Sequence, residues 1–170
     1  MKKKLKLVIG IVLVTIVIFL GYKITTKLNH KKEVAERIKT IPNFSFTTLN
    51  GENFTQNNLQ NKPTVFVYFN SECDYCQSEA TKIQESLQDF KNVQLVFVSY
   101  EKKEQIIQFA KSYKLDNQKN VTFLEDTEAK FATIFDVNSI PYIVVYNKNQ
   151  ELLQKFKGAT KIDNILKVLP

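Results

Sequence analysis

Residues 7–22 run for sixteen positions without a charge, framed by Lys6 and Lys23. As a helix this run spans about 24 Å at 1.5 Å per residue, close to a ~30 Å hydrocarbon core. Leu5 and Ile24 extend it while Lys6 and Lys23 snorkel. Residues 1–24 therefore read as a membrane anchor. Residues 25–40 are polar and basic, with Val34, Ala35 and Ile38 at loose helical spacing. They read as a juxtamembrane linker, and His30 as a solvated linker residue. From residue 41 the pattern changes. Phe44 and Phe46 alternate with polar residues, Asn50-Gly51 is a strong turn signal, and Phe54 lies on the return, so a β-hairpin is predicted. Apolar runs at 63–69, 93–98, 121–124 and 142–146 then predict buried strands, and 151–156 a strand paired back across the turn at 147–149. Between them lie helical spacings: Ile83, Leu87 and Phe90 over 74–90; Ile106, Phe109, Ala110 and Tyr113 over 101–115; Ala129, Ala132 and Ile134 over 128–135. A closing amphipathic helix is expected over 161–169. Strands alternating with helices, finished by a hairpin and a helix, give an α/β sandwich over residues 41–170.

Charge changes the picture only once it is divided. The whole chain carries a formal +7. Residues 1–39 hold ten Lys and Arg against Glu33 and Glu36, a net +8, whereas residues 40–170 come to −1. The basicity belongs to the arm beside the membrane, so the domain shows no nucleic-acid signature. The segment after the apolar run, Leu20-Gly21-Tyr22-Lys23, lacks a small-x-small cleavage site. An uncleaved anchor is thus favoured over a cleaved signal peptide, and no cysteine follows to take a lipid. The short basic tail ahead of the run suggests a signal anchor in the cytoplasmic membrane with the domain facing outward. The lysines beyond the run work against that orientation.

The candidate chemistry is Cys73-Asp74-Tyr75-Cys76, the only two cysteines in the chain. The pair falls where a buried strand ends and a helix begins. Ser71 is the expected N-cap, with Asp74 completing a capping box, which puts Cys73 in the first helical turn. There the backbone N–H groups and the helix dipole favour a thiolate. A structural disulfide would close a very short loop and stabilise little. Zinc needs four ligands, and no others are at hand, so no metal is expected. The spacing points to a redox-active dithiol forming a Cys73–Cys76 disulfide. Ile140-Pro141 precedes a later apolar strand. It reads either as a trans proline at a strand start or as a cis proline beside the dithiol, leaving the Ile140 backbone free to pair with an extended substrate.

Together these features resemble the thioredoxin superfamily. Ile41-Pro42-Asn43-Phe44, Leu49-Asn50-Gly51-Glu52, Leu59 ahead of Asn61-Lys62-Pro63, and the extra helix–strand unit at 101–124 resemble its membrane-anchored TlpA/ResA-like branch. The resemblance implies a thioredoxin-like sandwich: a mixed central sheet flanked by helices, with an N-terminal β-hairpin and an inserted helix–strand unit, preceded by one transmembrane helix. It also implies Cys73 as the attacking thiol, Cys76 as the resolving thiol, Pro141 as the cis proline with Ile140 as its substrate-binding neighbour, and Glu79 as a proton-handling or pKa-tuning acid. The alternative for Glu79 is a solvated helix carboxylate. The sequence departs from the pattern at Val67, where many thioredoxins carry a buried acid, and at Glu72 and Asp74-Tyr75 around the cysteines. Glu72 and Asp74 put negative charge on both sides of Cys73, which disfavours a thiolate and so favours a reducing couple.

The expected activity is thiol–disulfide exchange at the outer face of the membrane, reducing protein disulfides, with cytochrome c maturation substrates as the family example. The expected partners are disulfide-containing proteins and a membrane electron donor, without a bound cofactor. The alternatives are a thiol oxidant and a non-catalytic module holding peptides or Cu(I). Peroxide reduction is disfavoured because Asn70 stands three residues before Cys73, where P-x-x-x-[TS]-x-x-C sites place Ser or Thr.

Overall fold

Helix α1 (Lys2–Arg37) is continuous, because no glycine or proline interrupts residues 22–41. The segment with linker composition is therefore helical as far as Arg37. The computed structural model describes residues 2–170, their side chains from Ile9 onward. The roles assigned to Leu5 and Lys6 lie outside the described side chains. By length and composition α1 is long and apolar enough to cross a membrane. The helix through Glu36 forms one unit and Arg37–Pro170 a second.

The second unit begins with an anchored stretch of chain. The Arg37 guanidinium donates to the carbonyls of Thr133 (3.1 Å) and Ile134 (2.9 Å), Ile38 is fully buried, and its carbonyl accepts the Tyr146 hydroxyl at 2.9 Å. Thr40 bridges Glu151. The elements that follow are β1 (Ser45–Thr48), β2 (Asn53–Thr55), β3 (Thr64–Tyr68), α2 (Asp74–Glu85), β4 (Gln94–Ser99), α3 (Lys103–Ser112), β5 (Val121–Glu125), α4 (Lys130–Phe135), β6 (Tyr142–Tyr146), β7 (Leu152–Lys157) and α5 (Ile162–Leu166). They build one seven-stranded sheet in the order β2-β1-β5-β4-β3-β6-β7. The central pairs β3/β4 and β4/β5 are parallel, and the flanking pairs are antiparallel.

Strands β3, β4 and β6 are buried along their whole length, which is why they appear in the sequence as unbroken apolar runs. Their alternate side chains feed two cores. Val65, Val67 and Phe69 join Cys76, Ala80 and Ile83 of α2, Ile106 and Phe109 of α3 and Ile165 of α5. The opposite face is aromatic: Phe66 meets Phe44 and Tyr146 edge-on, and Phe131 of α4 stacks on Tyr68 at 5.0 Å.

All four helices of the second unit are shorter than their spacing predicts, and for α2 and α4 the hydrogen bonds show why. After Glu85 the N–H groups of Leu87, Asp89 and Phe90 turn to carbonyls three residues back. This tightening ends α2 yet still delivers Phe90 to the core, fully buried. Helix α4 starts at Lys130 because Asp126 accepts the N–H groups of Lys130 (3.0 Å) and Phe131 (2.7 Å), with Ala129 turned left-handed at the cap.

Candidate functional site

The dithiol sits at the carboxyl end of β3, where a parallel pair hands the chain to a helix. Phe69 extends the strand by donating its N–H to Val98, and Asn70 turns the chain by accepting the Glu72 N–H at 2.9 Å. The N-cap of α2 is Cys73, not Ser71. The Cys73 thiol itself accepts the Cys76 N–H at 3.3 Å, and its carbonyl takes the first helical bond, from Gln77. Ser71 instead turns its hydroxyl and N–H to Glu101, at 2.6 and 2.7 Å. Asp74 follows as the first residue of the helix and adds a carboxylate to the N-terminal turn, where the dipole welcomes it.

The two thiols are both free and differ in exposure: Cys73 is half-buried and Cys76 is buried. Burial pushes the Cys76 thiol well up from its ordinary value, with the contact to Cys73 adding to the effect. The geometry thus separates a reachable sulfur, whose lone pair already accepts a backbone N–H, from a shielded one that holds its proton.

Glu79 lies one helical turn beyond Cys76 and is fully buried, which sets aside the reading of a solvated carboxylate. Oε2 accepts the Thr160 N–H at 2.9 Å, while Oε1 has no hydrogen-bond partner among the described residues. Burial raises its pKa, opposed by the Thr160 N–H and the nearby Lys82 charge. Residues three apart on a helix share a face, so this carboxyl and the Cys76 thiol lie on one side of α2.

The Ile140–Pro141 peptide is cis. Ile140 and Cys73 pack against the same core cluster. Among the described residues none bonds to the Ile140 N–H or carbonyl, whereas the Pro141 carbonyl accepts the Gly158 N–H at 2.8 Å. The turn after β7 therefore ties together two sequence-distant parts of the site: Gly158 holds the proline loop and Thr160 holds Glu79. Gly158 takes a left-handed φ of 77° there, a conformation glycine adopts without strain.

Two contributors were not legible as site residues in the sequence. Thr160 acts through its backbone, which no side-chain pattern reveals. Glu101 looked like the start of a helix, but it is buried and precedes α3. The available signal was an acid two residues past a buried strand, at the end of a parallel sheet where ligands and reactive groups gather. Among the described residues no group of three or more His, Cys, Asp or Glu is placed to hold a metal.

A mixed sheet with helices on both faces, a Cys-x-x-Cys at the start of α2 and a cis proline leading into β6 define the thioredoxin fold. The AhpC/TSA family profile matches residues 38–155, and the chain belongs to that family. Its structure is similar to a secreted Mycobacterium tuberculosis disulfide oxidoreductase homologous to E. coli DsbE, with 23% identity, 78% of this chain and 96% of that one covered, and a TM-score of 0.64. It is also similar to a putative thioredoxin from Neisseria meningitidis, with 27% identity, 76% and 86% covered, and a TM-score of 0.64. A third similar structure is the peroxidoxin BcpB from Mycobacterium tuberculosis, with 16% identity, 76% and 92% covered, and a TM-score of 0.65. Comparison with curated protein sequences gives no match. The fold thus hosts more than one thiol chemistry, and the function must be argued from the site.

Proposed function

We propose that this protein is a membrane-tethered thiol–disulfide oxidoreductase that reduces protein disulfides on the extracytoplasmic side. The observation that carries the reading is the asymmetry of the dithiol: a reachable Cys73 at the helix N-cap and a buried Cys76 one turn behind it. Cys73 loses its proton and attacks one sulfur of a substrate disulfide. The substrate S–S bond breaks, a Cys73–substrate disulfide forms, and the other substrate sulfur leaves as a thiol. Cys76 then gives up its proton, attacks the Cys73 sulfur, and expels the second substrate thiol. Two electrons have passed to the substrate, and the enzyme is left with a Cys73–Cys76 disulfide. A dithiol donor in the membrane returns them by the same exchange in reverse.

The other residues support this sequence of steps. The unpaired Ile140 backbone beside Pro141 offers an extended substrate segment a strand-like partner. Glu79, a buried carboxyl with one oxygen unpartnered, receives the Cys76 proton. The N-terminal apolar helix supplies the tether, and persistent disulfides are found beyond the reducing cytoplasm.

Substitution Cys76→Ser tests the scheme in the full chain. The variant retains the attacking thiol and lacks the resolving one. It should accumulate covalent adducts with disulfide-bearing proteins that appear on non-reducing gels and vanish with dithiothreitol. A chain that forms no adduct in this variant, while wild-type chain is equally unreactive, is not an exchange enzyme.

A further inference from the structure

The charged residues of α1 beyond the apolar run are sorted by sign. From residue 23 to residue 32 they are Lys23, Lys27, Lys31 and Lys32, and the first acids are Glu33 and Glu36. Lys23, Lys27 and Lys31 are exposed. They are four residues apart on one continuous helix, so each is turned only about 40° from the last and the three share a face, with Lys32 about 100° further round. Among the described residues none of the three is in a salt bridge, the ion pair found there joining Lys130 to Glu128. The side chains of an α-helix lean toward its N-terminus, which on this helix means toward the apolar run. Lys23 shows the lean: its ammonium lies 5.7 Å from the centre of the Phe19 ring, one turn back.

Height along the helix decides what this stripe meets. With Lys23 at the hydrocarbon boundary, the Cα atoms of Lys27 and Lys31 stand about 6 and about 12 Å beyond it. Leaning back by one turn, about 5.4 Å, brings their ammonium groups to about 1 and about 7 Å. The headgroup layer outside the hydrocarbon is about 5–7 Å deep on each side, so the three cations fall within it. Glu33 and Glu36 stand about 15 and about 20 Å out and stay above the layer after the same correction. A polyanion in solution would meet the acids together with the lysines, whereas a headgroup meets the lysines first. We propose that Lys23, Lys27 and Lys31 form a binding stripe for the headgroups of anionic phospholipids in the leaflet on the domain side. The proposal rests on the reading of α1 as the tether. It gives a use to lysines that otherwise count against an outward-facing domain.

Photo-cross-linking in vesicles tests it. The full-length chain is reconstituted in phosphatidylcholine vesicles holding a trace of phosphatidylglycerol, or of matched phosphatidylcholine, with a photoactivatable headgroup. Adducts are mapped by mass spectrometry. A lysine near an anionic surface contributes about fivefold, so adducts over residues 23–31 should be about fivefold more abundant with the anionic probe. Lys23→Gln, Lys27→Gln and Lys31→Gln together should bring the two probes to parity there, and the corresponding arginine substitutions should keep the preference. Equal labelling of the wild type by the two probes overturns the proposal, as does a preference that survives the glutamine substitutions. So does a preference abolished by inorganic phosphate at constant ionic strength, since the stripe would then be a phosphate site and not a lipid site. If the glutamine variant fails to insert, the wild type at about 1 M salt decides: a Debye length of about 3 Å should erase the preference, and an unchanged one overturns the proposal. Flotation with the vesicles reports the tether separately. A chain that does not float strikes the tether and the stripe together, whereas one that floats without a preference strikes the stripe alone.

Discussion

Replacing Cys73 by serine is expected to lower the reduction of a protein disulfide by about 10³-fold or more, the scale of loss when a nucleophile is removed from a site whose other groups act through it. The reason lies in the division of labour between the two sulfurs. Cys76 is 2% exposed, so a substrate sulfur cannot reach it in line, and burial keeps it protonated. It cannot take over the attack. Serine at position 73 can still cap α2 by accepting the Cys76 N–H, since serine is among the preferred N-cap residues. The variant should therefore unfold within about 0.5 kcal/mol of wild type while its activity disappears. Insulin reduction followed by turbidity, with urea unfolding beside it, checks both halves. Activity that survives would mean the reaction does not run through this thiol.

The second large effect concerns Glu79. The Glu79→Gln variant keeps the size of the side chain and removes the proton acceptor. Positioned acid–base groups contribute about 10²–10⁴-fold, so resolution of the mixed disulfide at neutral pH should slow by about 10²-fold. The first attack, by Cys73 on a model disulfide, should be unaffected. Rapid-quench measurement of adduct formation and decay distinguishes the two steps. The same substitution has a stability signature of fixed sign. The folded pKa lies above the unfolded value of 4.5, so the folded chain binds this proton more tightly than the unfolded chain. That contribution is complete below the unfolded value and is lost as pH rises through the folded one. Wild type should thus lose stability relative to Glu79→Gln as pH rises above 4.5 and through the raised folded-state pKa. The difference between the two proteins removes Asp126, the other buried carboxyl whose pKa is raised by burial.

The periodicity carried much of this architecture because the sheet is buried on both faces. β3, β4 and β6 show as uninterrupted apolar runs, and the hairpin of β1 and β2 shows through Asn50-Gly51. Helix ends were less legible, since they are decided by single hydrogen bonds. Asp126 starts α4 from four residues upstream, and Cys73 took the capping role that composition assigned to Ser71. The dithiol could be read directly, being a local motif. What stood hidden is whatever depends on the approach of distant segments: Glu101 to Ser71 across 30 residues, and Thr160 to Glu79 across 81. No local pattern encodes such meetings. They arise when the parallel strands bring their carboxyl ends to one edge, and there a serine, an acid and a backbone N–H acquire roles that their own neighbourhoods do not announce.

The most direct test of the account is the equilibrium of the Cys73–Cys76 couple in the full-length chain against thiol–disulfide buffers. A reductase whose resolving thiol, Cys76, is held protonated by burial should equilibrate at about −230 mV or below, in the range from glutaredoxins to thioredoxin. A couple near −120 mV would contradict the account and make the protein an oxidant of substrate thiols; so would the absence of any reversible exchange.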